Sequence, residues 1–473
     1  MENQMKKGYV YFMLAAILSL AIAGTSYAFK FDFHGKMWQT VGITDNYGAM
    51  GGPQKSGPTD YFSYQGSLNT EGMQKDSNGV PRLISVMSEN EDALFGLTKA
   101  RLRFEGTTDD GLAKIVYGLE VGTVNWGDTS ADKKFGLSGD GVNQETRFAY
   151  AEVVMPVIGG KIRAGLQPTK INHWVWTETA AGLTYHSDFG SWKTMAGWYR
   201  GEDKNSTSNI EGDNDYFVIK ADNKLTSNTT LGFFGIYTDL DKDETTRDDT
   251  GLGDYYDGNY YYLGLTGKYS KGKLFGDFDF IYQGGDIDFD APAIDDLDRS
   301  AWLGNLTVGF KVSDDFKISG NILYVSGDDD PNDDDAENFD AIDVDVFVGT
   351  IFFKDSIMAD CDRFVSDAPY IMDKGLINYA IQGEYQISAK NNLRAAVRYL
   401  MTAEDLELKP NASDDDLGYE FDLWYTYTLN KHVDLKIDAA YLIAGDGADH
   451  LAASDNYDSD DLYKLAAGIK IQF

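Results

Sequence analysis

The sequence is poor in the residues that staple a chain or interrupt it. Across 473 residues there is one cysteine, Cys361, and there are nine prolines. A single thiol cannot close an intramolecular disulfide, so backbone pairing and packing must hold the fold. Beyond the first few tens of residues no apolar run approaches the ~18 residues that a membrane-crossing helix needs. With a mean hydropathy of -0.36, this excludes a helical membrane protein. Basic charge is also scarce, at 41 Lys and Arg against 76 Asp and Glu, a formal net charge of -35. Nucleic acid, whose phosphates such a chain repels, is excluded as a partner. The five histidines, His34, His173, His186, His432 and His450, show no metal-ligand spacing, and neither G-x-S-x-G nor a P-loop is present. No enzyme activity, cofactor or metal site is expected, although a hydrolase site assembled across strands would escape a linear search.

What is abundant is glycine (50), tyrosine (30) and phenylalanine (26), a mixture that suits many strands joined by polar turns. At the N-terminus, Lys6 and Lys7 precede an apolar stretch from Tyr9 to Ala23, and Ser26-Tyr27-Ala28 follows. These are the three parts of a secretory signal peptide, so residues 1–28 are expected to be removed and residues 29–473 to form one domain.

That domain is dominated by period-two patterning. In the last strand, Tyr463, Leu465, Ala467, Ile469, Ile471 and Phe473 share one face, and Lys464, Ala466, Gly468, Lys470 and Gln472 share the other. The pattern recurs in Phe29 to Ile43, in Tyr419 to Leu429 and in Val433 to Ile443. These runs reach the roughly ten residues a tilted strand needs to cross a bilayer. Connections alternate between short turns, such as Pro156 to Gly160 and Asn430 to Lys431, and long loops, such as Asp45 to Ala93 and Gly327 to Gly375. Short periplasmic turns and long external loops are the habit of bacterial outer-membrane barrels. Both termini should lie at the short-turn end, which requires an even strand count. The reading is a closed antiparallel transmembrane β-barrel of about eighteen strands, or sixteen, wide enough for an aqueous lumen. Keeping the count even places Ala341 to Phe353 within a long external loop.

Several motifs resemble the trimeric general porins of Gram-negative bacteria. Phe33-His34-Gly35-Lys36 is similar to that family's first strand, Ala100 to Gly106 to its second and Thr146-Arg147-Phe148-Ala149 to its fourth. Gly182 to His186 resembles the strand after its infolded loop, and terminal Phe473 resembles its assembly signal. The resemblance implies an outer-membrane homotrimer embedded in lipid and lipopolysaccharide, passing small hydrophilic solutes and ions by passive diffusion. It also implies a basic wall at the constriction, Lys36, Arg101 and Arg147, with His186 at a position the family fills with arginine and Arg103 and Arg163 as neighbours. The acidic side would be Glu178, on the loop after the fifth strand, and Glu120. Phase alone supports part of this: Lys99, Arg101, Arg103 and Glu105 alternate with Ala100, Leu102 and Phe104, and charges are costly toward lipid.

His173, Trp174 and Trp176 would pack that loop against the wall or narrow the pore. Inward-phase Trp38 and Trp424 offer faces on which a sugar could stack, which keeps open a channel selective for sugars or organic anions. A plugged structural or adhesive barrel is the third reading. Acid clusters at Asp295 to Asp298, Asp328 to Asp335, Asp414 to Asp416 and Asp455 to Asp461 read as a solvated outer surface that could hold divalent cations weakly. Glu152 reads as outward beside Phe148 and Tyr150, which a subunit interface or a local bulge would accommodate.

Overall fold

Strands pair with their sequence neighbours all the way round, and the first strand closes the ring on the last. The computed structural model describes residues 29–45, 93–127, 144–202, 214–241, 256–289, 296–330, 333–353, 355–357, 368–407, 412–451 and 461–473. The expected leader, Cys361, nearly all of the long loop after the first strand, and Asp295, Asp455, Asp458 and Asp460 lie outside the described residues.

In chain order the strands are β1 (Phe29–Asp45), β2 (Ala93–Thr108), β3 (Ala113–Asn125), β4 (Gln144–Met155), β5 (Gly160–Pro168), β6 (Thr179–Phe189) and β7 (Trp192–Glu202). Next come β8 (Asn214–Thr226), β9 (Thr229–Asp241), β10 (Tyr256–Lys271), β11 (Leu274–Phe289), β12 (Leu297–Lys311) and β13 (Phe316–Val325). The last are β14 (Asp335–Ala336), β15 (Leu376–Ser388), β16 (Asn391–Leu406), β17 (Asp414–Asn430), β18 (Val433–Ala444) and β19 (Leu462–Gln472). The two-residue β14 belongs to a loop and runs parallel to β12, so eighteen strands form the wall, all antiparallel. β1 pairs with both β2 and β19, which leaves no open edge.

Eight short turns gather at one end together with Phe29 and Phe473. Gly190 and Gly272, with φ of 60° and 61°, take the left-handed conformation that two of these turns require. The outer face is apolar. Phe421, Leu423, Leu435, Ile437, Leu465 and Ile469 point outward and are exposed, as the alternation predicted. A continuous apolar exterior on a closed ring is what a bilayer solvates, since closure satisfies every ladder N–H and C=O internally.

The interior departs from a simple water-filled tube. On β7 to β13 the inward positions are themselves apolar: Tyr199, Val218, Ile236, Tyr260, Tyr262, Ile281, Leu303 and Leu323 are all buried, while Phe217, Ile219, Phe233, Leu263 and Phe280 on the same strands face outward. Chain from two loops covers this inner apolar wall. Fully burying a side chain of this class contributes roughly 1.5–3 kcal/mol, so the lumen holds a substantial hydrophobic core.

Candidate functional site

Two segments fold into the barrel and divide its lumen. The first, residues 169–178 between β5 and β6, buries Ile171, Val175 and Trp176 against the wall, the Trp176 ring lying 5.0 Å from Tyr199 and 4.9 Å from Tyr216. Buried Asp279 on β11 accepts hydrogen bonds from Asn172 Nδ2 (2.9 Å) and Trp174 Nε1 (3.1 Å), and Lys220 Nζ donates to the Ile171 carbonyl (2.7 Å). Trp174 and Trp176 thus pack the loop onto the wall.

The second, described over residues 326–330, 333–353, 355–357 and 368–375, is the larger. At the apolar wall, Arg299 donates to the Asn338 carbonyl (3.1 Å), Tyr262 donates to the Asp340 carbonyl (3.0 Å), and the Asp340 N–H donates to Gln283 (2.9 Å). The segment then joins the first loop through Ile342 N–H to the Val175 carbonyl and Thr177 N–H to the Asp343 carbonyl, both 2.9 Å. On the opposite wall, Thr350 N–H reaches Glu420 (2.5 Å), Lys464 Nζ reaches the Thr350 carbonyl (2.9 Å) and Ile357 N–H reaches Asp438 (2.5 Å). Asp355 pairs with Arg394 (2.6 Å), and its carbonyl accepts from Trp424 Nε1 (2.6 Å). The chain therefore spans the lumen from β10–β12 to β16–β19. Its own alternation sorts side chains by environment: Val344, Val346 and Val348 enter the core, whereas Asp343 and Phe347 face the open half.

This corrects two readings. Ala341 to Phe353 is not merely part of an external loop; it lies inside the barrel, because its valines match the apolar inner wall. Asp328 is not a solvated surface acid either, being buried with its N–H donating to the Asp373 carbonyl (2.8 Å).

The residues expected at the constriction gather on the open half. Lys99 (2.9 Å), Arg101 and Arg147 (2.9 Å) all converge on Glu120, which is only 5% exposed, and Arg147 also reaches Glu178 (3.1 Å). The acids Glu120 and Glu178 therefore sit among the basic side chains instead of facing them across the pore. Arg103 pairs with Glu105 (2.9 Å), Arg163 with Glu152 (2.6 Å), and His186 Nε2 lies 2.9 Å from the Thr184 hydroxyl. Lys36 lies opposite Arg101 across the β1–β2 ladder, and Phe473 packs its ring against Phe33 at 5.5 Å.

Arg147 is the extra residue of a bulge: Gly118 pairs with Phe148 and Leu119 with Thr146, leaving Arg147 unpaired in the ladder and turned to the lumen. The bulge shifts the phase of the rest of β4. Glu152 is consequently an inward residue opposite Arg163, not an outward one, and lends no support to a subunit interface.

Asp343 and Asp345 were missed in the sequence because the segment carrying them read as external. Burial, with Asp345 and Asp343 nearby, pushes the Glu178 carboxyl up to about 7 despite the opposing pull of Arg147. As pH rises through that value the site gains one negative charge. On the channel reading proposed below, the reversal potential in planar bilayers is expected to shift toward cation preference between about pH 6 and 8, and Glu178→Gln is expected to flatten the shift. A reversal potential that stays level in the native protein over that range would contradict this assignment.

Two cavities, each about 570 Å³, flank Arg101, which lines both. One contains Trp38, Phe347, Trp424, Lys99, Lys436, Asp345 and Glu384; the other lies toward the short turns and contains Lys36, Arg103, Arg147, Lys170, Lys431 and His432. The guanidinium of Arg394 sits 3.7 Å from the Trp424 ring centroid, so that face is already covered and is closed to a sugar. Among the described residues no three His, Cys, Asp or Glu side chains are arranged to hold a metal ion.

No protein family matches the sequence, and no curated protein is similar to it. Solved structures are similar in fold. OpdL of Pseudomonas aeruginosa superposes with a TM-score of 0.52 at 11% identity, covering 94% of this chain and 99% of that one. OpdQ of the same organism gives 0.53 at 12%, covering 94% and 97%, and OccAB4 of Acinetobacter baumannii gives 0.52 at 10%, covering 93% and 98%. The fold is that of outer-membrane β-barrels. At such identities the likeness extends to the architecture alone.

Proposed function

We propose that this chain is an outer-membrane porin, exported by a cleaved leader, whose half-filled lumen passes small hydrophilic solutes and ions by passive diffusion. One observation carries the reading: an apolar exterior encloses a lumen in which tethered loops leave two charged cavities meeting at Arg101. Solutes cross down their gradient without chemistry, and the loops set the size limit. Purified protein in planar bilayers is expected to give stepwise ohmic currents. Their absence, together with absence of flux in liposome swelling, would leave a structural or adhesive barrel instead. Homotrimeric assembly, implied by the resemblance to general porins, belongs to the same proposal and is tested by chemical cross-linking of the detergent-solubilised protein.

A second reading is a channel selective for sugars or organic anions. It is favoured by the cavity on the far side of Arg101 from the short turns, where Trp38 and Phe347 stand beside charges of both signs. Selectivity of this kind appears as current reduced by millimolar solute, and a flat titration across sugars and organic acids removes it.

A further inference from the structure

The cavity on the short-turn side of the constriction is out of character with the rest of the chain. In a protein of net charge -35, its lining carries Lys36, Arg101, Arg103, Arg147, Lys170 and Lys431 and no Asp or Glu side chain; the carboxylate on it is that of the terminal Phe473, which accepts from the Gly35 N–H (2.9 Å). The carboxylates nearest these arginines are already engaged: Glu120 by Arg101 and Arg147, Glu178 by Arg147, and Glu105 by Arg103. Lys36, Lys170 and Lys431 have no carboxylate partner among the described residues.

The ladder adds to the local excess of positive charge. Lys36 stands directly opposite Arg101, and the one carboxylate on Arg101, Glu120, is shared with Lys99 and Arg147. Like charges facing each other across a ladder repel. The surrounding lumen wall lowers the effective dielectric, which strengthens both that repulsion and the pull on any anion that enters.

We propose that this cavity is a binding station for small anions carrying two or more negative charges on carboxylate or phosphate oxygens. The inference rests on the channel reading and adds a solute class to it. Entry from the acidic outer surface disfavours such anions, while the basic pocket below the constriction retains them. Three lysines without carboxylate partners supply charge, and Arg101, Arg103 and Arg147 supply planar donors suited to oxyanions.

The test uses the mature chain in planar bilayers, with citrate and inorganic phosphate as probes added separately to each side. The expected result is a saturable fall in chloride current at millimolar probe, stronger from the short-turn side. In the Lys36→Gln, Lys170→Gln, Lys431→Gln variant, the half-blocking concentration is expected to rise about tenfold, which is about 1.4 kcal/mol. These side chains lie on a partly solvated surface, and heat-modifiable electrophoretic mobility reports whether the variant barrel has closed. Native channels that conduct normally but ignore both probes would overturn the anion station and leave the porin reading standing. Protein that never conducts would overturn the porin reading itself. Should the triple variant fail to close, the native titration alone still decides.

Discussion

Replacing residues 338–357 by a short Gly-Ser linker is expected to roughly double single-channel conductance, since an eighteen-strand ring encloses far more section than the open half now offers. The replaced chain carries the contacts that hold the segment across the lumen: Asn338 and Asp340 on Arg299, Tyr262 and Gln283 at one wall, and Thr350, Asp355 and Ile357 on Glu420, Lys464, Arg394 and Asp438 at the other. It also carries Val344, Val346 and Val348, which cover the inner apolar wall. The strands themselves pair without it, so the barrel should still close and still migrate as a heat-modifiable band. Unchanged conductance in a closed variant would mean that this segment does not set the section of the pore.

Arg299→Ala is expected to release one end of the same segment without deleting it. The Arg299 side chain is 0% exposed, donates to the Asn338 carbonyl, lies 3.8 Å from Asp340 and sits 5.2 Å from the Tyr260 ring. Its removal leaves Asp340 buried without its cation, a change that costs about 3–5 kcal/mol. The wall keeps its full ladder of hydrogen bonds, so the strain is relieved locally by detachment of the loop end. Recordings should then show flicker into a larger conductance state, and protease should cut within 333–345 in the folded variant. Combining Arg299→Met with Asp340→Asn removes both charges and should restore much of the quiet native behaviour. A variant that unfolds outright, with no intermediate larger conductance, would show that the anchor supports the wall and not the loop.

The legibility of this protein in its sequence divides at the inner surface of the barrel. Where the inner face carries polar side chains, as on β17 to β19, polar and apolar residues alternate cleanly, and the assignment of Glu420, Asp438 and Lys464 as inward needed nothing beyond the period of a strand. The short turns, the even strand number and the inward phase of Lys99 to Glu105 were legible for the same reason. On β8 to β13 both faces are apolar, as Phe217 and Val218 or Tyr261 and Tyr262 show, and alternation fades. That doubly apolar pattern was itself the available signal of something greasy inside, and the valine-aspartate alternation of Val344 to Val348 was its counterpart.

Among the residues expected to form a constriction, Arg101, Arg147, Glu120 and Glu178 do meet in one cluster with Lys99. The expectation that the acids oppose the bases across an opening rested on resemblance; the bulge at Arg147 and the closeness of β2, β3 and β4 put them side by side. Asp343 and Asp345 became visible only once their segment was seen inside the ring.

The sequence by itself determined most of the membrane-facing shell, because the side a strand residue faces follows from its parity wherever no bulge intervenes, and charge is costly in lipid. The tertiary structure decided what occupies the interior: which loop enters, where Arg299 and Glu420 fasten it, and which carboxylates share a cation. Those outcomes depend on contacts between residues far apart in the chain, where shape and burial, not period, select the partner.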